Sequence, residues 1–403
     1  MKRSKVQWTV RYTFLNVAYF AAFCTVHAYA AVYLLSKGFS NTEVGVLLAV
    51  ANVTSAILQP IIADIIDKPG PLTNRRFIMI SVMIILVGSL VLMLAPSNKA
   101  VIFFIYALIY MIQFAYQPVM TALCFEYRKA GCDIMYGLAR GLGSASFAFT
   151  SMFIGGIVEE NGVAILLWVN IVTMIISLLI AFTFKKPQGT RDNGTEEVEA
   201  TEGSGKKSSN LATFIRDYPA FVVFLSATIC FFFAHNMIND FMIRIINNLG
   251  GNETELGFAN FLQAILELPV MALIAIVLKK ISAERLLMIS GVAFFVKILL
   301  LVFAKGMPMM YISQSVQIFA YAVFIPAGAY YVSKTMDEQD QVKGQAFITS
   351  AITIGGVFSN LISGVILDHF GILTMLITGS AVCAVGVVIA IIAMTKLPHR
   401  KAE

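Results

Sequence analysis

The stretch KKPQGTRDNGTEEVEATEGSGKKSSNLATFIRDYP, Lys185 to Pro219, is the one long polar segment of the chain and divides it near its middle. A composition so rich in Gly, Ser, Thr and Glu cannot bury a core, which predicts a flexible linker over 185–218. GSGKKS inside it only imitates a phosphate loop. Ala200 stands where the first glycine belongs, and Lys207 where the motif needs Ser or Thr. Outward from the linker lie apolar blocks at 8–35, 44–66, 77–95, 100–125, 134–158 and 163–184, then at 219–246, 254–278, 284–304, 308–333, 344–367 and 372–395. Each is near the roughly 20 residues that span about 30 Å of hydrocarbon. The pattern predicts an all-α membrane protein with twelve transmembrane helices in two six-helix bundles, 1–184 and 219–403.

Composition agrees. The 403 residues are 58% hydrophobic and only 13% charged, against about 25% charged in soluble domains. The net charge of +6 suggests nucleic acid or acidic lipid until its placement is read. Counting loops from an N-terminus on the inside, 21 of the 29 Lys and Arg fall on one side. The other side holds only Lys37, Lys99 and Lys305. This asymmetry predicts both termini in the cytoplasm of a plasma or inner membrane, with lipid and no nucleic acid as partner. Cys24, Cys124, Cys132, Cys230 and Cys383 lie in or beside apolar blocks without metal spacing and read as small apolar residues. MKRSK before the first block mimics a signal peptide, but the block is too long and reads as a retained helix. There is no HExxH, GxSxG or carboxylate cluster, so neither an enzyme, a metal nor a cofactor is expected. A monomer is expected.

Six spans on each side of a linker is the layout of transporters that work around a midplane site. Several spans carry polar stripes at helical spacing: Asn16, Tyr19, Phe23 and His27; Asn52, Ser55 and Gln59; Tyr110, Gln113 and Gln117; Asn260, Gln263 and Glu267; Gln314, Gln317 and Tyr321. In lipid such faces turn inward, either as glue between helices or as the wall of a wet cavity. The repetition of amides, above all in the last four of these stripes, favours the cavity. Within the spans, Glu267 sits between Leu266 and Leu268 as a candidate proton carrier, Lys297 lies in FFVKILLLVF, and Arg140 lies in YGLARGLGSASFAF. Asp240 and Arg244 are spaced for a local ion pair. His27 and His235 are titratable, though a histidine among aromatics is more often hydrogen-bonded structure. Gly137 and Gly141 form a GxxxG that predicts close packing beside Arg140.

FSNTEVGVLLAVANVTSAILQPIIADIIDK, 39–68, resembles the second helix and following loop of the lactose permease branch of the major facilitator superfamily, the oligosaccharide:proton symporters. Asp67 with Arg75 and Arg76 falls on the loop signature of that superfamily, which implies a cytoplasmic gate. Ala63 replaces its first glycine. YGLARGLGSASFA is similar to the branch's fifth-helix motif. The resemblance implies that Arg140 binds sugar hydroxyls and that Phe147 offers the aromatic face. It extends to Glu267, and to Lys297 where the family has arginine. Thr121 stands in place of the sugar-binding acid. Gln317 and Ala320 replace the His and Glu of the tenth helix, and the seventh-helix aspartate has no basic residue to meet in the eleventh. These departures imply a cargo other than galactosides and a different coupling scheme.

The expectation is a secondary active transporter that imports a small polar solute, a sugar or oligosaccharide, with a proton by alternating access. Arg140, Phe147, Gln113, Gln117, Asn260, Gln263 and Gln317 are the candidate solute residues. Glu267, Lys297 and Asp240 are the candidate coupling residues, and Asp67, Arg75 and Arg76 the gate. The rival is a proton-driven efflux pump for amphipathic compounds or drugs, to which 19 Met and 31 Phe would be suited. A sensor or scaffold is disfavoured because the linker is too short and polar to be an output domain.

Overall fold

The computed structural model describes residues 2–68, 70–94, 98–185 and 210–397, without the side chains of 2–5, 67, 271, 272 and 275. The Asp67 carboxylate and linker residues 186–209 therefore lie outside the described residues. All described regular structure is helical: α1 Lys2–Phe23, a π-helical turn Cys24–Ala28, α2 Ala30–Ser36, α3 Asn41–Asp67, α4 Asn74–Leu94, α5 Lys99–Lys129, α6 Tyr136–Asn161 and α7 Ala164–Thr183. After the linker come α8 Leu211–Asp217, α9 Pro219–Asp240, α10 Met242–Asn248, α11 Glu253–Val277, α12 Ala283–Val302, α13 Met307–Ser315, a 3-10 turn Val316–Ile318, α14 Tyr321–Thr335, α15 Glu338–His369 and α16 Gly371–Lys396. Helix occupies every one of the twelve predicted blocks. Among the described residues, ten helical stretches are long and apolar enough to cross a membrane, with α13 to α14 taken as one, and eleven when the pair bent by 50° at Tyr29 counts as one more. The other predicted block is α11.

The sequence ends these helices by local chemistry. Ser40 and Glu43 form a reciprocal cap at the start of α3, and Asn98 accepts from Val101 N at α5. Before α3, Phe39 N and Gly38 N return to Leu34 O and Leu35 O, a closure that needs the positive φ of 81° at Gly38. Arg75 closes α7 by donating from Nε to Ala181 O at 3.0 Å and from Nη2 to Phe182 O at 3.1 Å.

Packing divides the chain into two compact units, Met1–Glu196 with Asn252–Ala264, and Glu197–Gly251 with Ile265–Glu403. In the first, α1 packs on α6 and α7, and α5 on α3 and α4. The start of α11 lies against the end of α6. A β-carbon on Gly155 would stand 2.2 Å from Glu253 O, and one on Gly257 2.3 Å from Ser151 O. The Glu159 carboxylate accepts from Asn252 Nδ2 at 2.7 Å and from Thr254 Oγ1 at 2.5 Å. In the second unit, α9 packs on α15 and α16, and α12 on α14 and α16. The last part of the expected linker is ordered as α8 because Phe214 is buried against Tyr218, Phe221 and Phe347. Apolar side chains such as Phe153 and Leu179 remain 61% exposed, as lipid-facing positions do.

Candidate functional site

In the first unit, Arg140 and Phe147 stand two turns apart on α6, hence on one face. Arg140 Nη1 donates to Ser144 Oγ at 2.8 Å, and the guanidinium carbon lies 4.1 Å above the Phe20 ring. Cation–π contact and one hydrogen bond leave most of its five donors available. Phe20 comes that near because α6 has no side chain at Gly143, where a β-carbon would stand 2.7 Å from the Phe20 ring. The expected GxxxG seam is not used: β-carbons at Gly137 and Gly141 would meet nothing within 4 Å. The close approach is shifted to Gly143.

Phe147 continues into an aromatic group. Its ring centre is 6.4 Å from Phe23, and Phe23 stacks on His27 at 3.8 Å. His27 in turn meets Tyr110 at 3.8 Å and Phe114 at 4.5 Å. His27 belongs to the π-helical turn that breaks the first span, and such turns swing a side chain out of helical register. Both of its ring nitrogens are buried, with the Gln113 side chain beside the ring.

The stripe on α5 divides. Gln113 is fully buried, and its Nε2 donates to Asn170 Oδ1 at 3.0 Å, while Asn170 donates to Ser89 Oγ at 2.8 Å. That chain ties α5, α7 and α4 together, so Gln113 stands in an interhelical tether. Gln117, one turn on, is partly exposed on the same helix. Tyr19 donates to Gln113 O and so ties α1 to α5, while Asn16 donates back to Tyr12 O within α1. Asn260 is buried with Nδ2 unpartnered, and Gln263 is partly exposed on α11.

In the second unit three candidates come together. Lys297 on α12 is fully buried and donates from Nζ to Gln317 Oε1 at 2.7 Å. Gln317 Nε2 then donates to Glu267 Oε1 at 2.9 Å. An ammonium has only donors and a carboxylate only acceptors, so the amide between them has one consistent orientation. Gln317 occupies the 3-10 turn that breaks the tenth span. Ser290 Oγ donates to Ala320 O and Ser313 Oγ to Lys297 O across this break, both near 2.8 Å.

The remaining candidates stand apart. Asp240 ends α9, with the Asn360 side chain beside its carboxyl. The spacing had predicted an ion pair with Arg244, but no such bridge forms: the helix breaks at Phe241, and Arg244 Nε is buried without a partner. Arg75 serves α7, and Arg76 Nη1 donates to Pro71 O. The sequence reading missed Phe20, Phe114 and Ser144. The i, i+4 spacing of Arg140 and Ser144 was the one readable signal among them.

The model of the MFS_1-like family matches residues 9–377. No curated protein matches the sequence. Among solved structures, the chain is similar to the nucleoside transporter NupG. A mutant form of it gives a TM-score of 0.80 at 14% identity, over 96% of this chain and 100% of that one. NupG itself gives 0.76 at 16%, over 97% and 100%. A bacterial homologue of the human lysosomal transporter Spinster gives 0.74 at 11%, over 98% of both chains. At these identities the likeness is one of fold.

Proposed function

Since this chain belongs to the MFS_1-like family of the major facilitator superfamily, we propose that it imports a small, hydroxyl-rich solute together with a proton by alternating access. It is an integral membrane secondary transporter and not an enzyme. The observation that carries the coupled reading is the Lys297–Gln317–Glu267 chain. A fully buried ammonium answered by a part-buried carboxylate through one amide is costly, and in transport proteins such groups mark ion or proton paths. In this reading Glu267 takes up and releases the proton, and Lys297 registers its charge through Gln317.

The solute reading rests on Arg140, which stacks on Phe20, and on the aromatic group of Phe147, Phe23 and His27 that follows on the same face of α6. A guanidinium donates paired hydrogen bonds to hydroxyls, and aromatic rings cover an apolar sugar face. Gln117, Asn260 and Gln263 supply further polar groups, while Gln113 holds the helices that carry them. A sugar is the first candidate, in line with the lactose permease-like motif around Arg140. The aromatic group and the likeness to NupG favour a nucleoside as the second, since a ribose has the same hydroxyls and a base stacks on aromatic rings. Arg75, Arg76 and Asp67 form the proposed cytoplasmic gate, with both termini on that side.

The test is uptake of labelled sugars and nucleosides into proteoliposomes holding an imposed proton gradient. Accumulation that follows the gradient and collapses with a protonophore is the expected result. Accumulation insensitive to the gradient would overturn the coupling. Drug resistance on overexpression without any uptake would reverse the direction in favour of efflux.

A further inference from the structure

The face that α15 presents to α9 is unusual for its unpartnered oxygens. The two helices touch through glycine: a β-carbon on Gly355 would stand 2.6 Å from Ile229 O, and one on Gly356 2.9 Å from Asn236 Nδ2. One turn beyond these glycines, on the same face, come Ser359 and Asn360, and Ser363 follows. All three are fully buried. Ser359 Oγ and Ser363 Oγ have no hydrogen-bond partner, and Asn360 has none beyond the Asp240 carboxyl. Elsewhere in these helices the hydroxyls of Thr228, Thr349 and Thr353 bond back to the preceding turn, so the two serines depart from the local habit.

On α9 the matching position is Asp240, whose carboxyl has the Asn360 side chain beside it. Its neighbour Asn239 is held through Nδ2 to His235 Nε2 and leaves its own Oδ1 buried and unpartnered. Buried polar groups left in this state call for a water or an ion. The set has one carboxylate and several neutral oxygens, with no thiolate among them. Such donors suit a hard cation of the Mg, Ca or alkali type. With a single negative charge, only a monovalent ion leaves the site neutral, whereas a divalent one would bury a net charge. Asp240 is partly exposed, which gives an ion a way in.

We propose that Asp240, Asn360, Ser359 and Ser363 form a sodium site between α9 and α15. The ion fills the place that an ionic partner of Asp240 would otherwise take. This site shares no residue with the Lys297–Gln317–Glu267 chain and stands or falls separately from it.

Equilibrium binding of radioactive sodium to the purified full-length protein tests it, with choline as the control cation. Saturable binding is expected, along with a higher melting temperature in sodium than in choline. Asp240→Asn and Asn360→Ala should each weaken binding about tenfold or more, while Glu267→Gln leaves it intact. Asn360→Lys places a tethered ammonium in the ion's position, so it should fold and bind no sodium. Absence of saturable binding overturns the site, as does equal protection by choline, which is the behaviour of a buried water cluster. Binding that survives both Asp240→Asn and Asn360→Lys, or is lost in Glu267→Gln, places the ion elsewhere and overturns it as well.

Discussion

An ammonium with no solvent exposure is tolerable only where its donors are answered, and Lys297 is answered by Gln317 and through it by Glu267. Removing one member of such a set costs about 1–3 kcal/mol, because Gln317 and the remaining charge are left unanswered. Lys297→Met should therefore lower the melting temperature sharply, and Lys297→Met with Glu267→Leu should recover part of the loss. A thermal double-mutant cycle reads the coupling. Glu267→Gln should abolish accumulation driven by a proton gradient while solute exchange between equal pools persists. Arg140 makes a second case at this scale. Arg140→Lys keeps the charge but loses the planar fork and the stacking on Phe20. The KM for the transported solute should rise by about tenfold, a change of about 1.4 kcal/mol, with little effect on folding.

For the helices, spacing told which face a residue shares but not what that face meets. Gln113 and Gln117 are one turn apart on α5, yet Gln113 answers Asn170 and Gln117 stands partly exposed. The same limit explains the glycines of α6. Gly137, Gly141 and Gly143 look alike in the sequence, and only the helix opposite decides which is a contact. Gly143→Val drives a methyl into the Phe20 ring and should cost about 1–3 kcal/mol. Gly141→Ala meets nothing and should gain a few tenths to about 1 kcal/mol from helix propensity. Melting temperatures of the two variants check the contrast. The helix breaks at His27 and Gln317 were not legible, because no proline or glycine marks either one. The SNLIS stripe of α15 follows the same helical spacing as the amides, but serines usually satisfy themselves within a helix, so spacing alone does not mark it.

For the whole molecule, apolar block length was sufficient: each predicted block is helical, and the MFS_1-like family model covers residues 9–377. Charge placement makes a further prediction about orientation. Reporter fusions at residue 1 and residue 403 should both give cytoplasmic signals, whereas a fusion in the loop at Lys37 should not. What composition could not supply was the compliance of the units. Each carries a short turn of non-α helix, Cys24–Ala28 in the first and Val316–Ile318 in the second. Such a turn has already surrendered regular pairing, so it can wind or unwind at small cost while the turns around it hold. Deuterium should enter the backbone amides there sooner than those one turn to either side, and bound solute should slow that entry. The chain then has a swivel of its own inside each half, beside the side chains that would feel the cargo arrive.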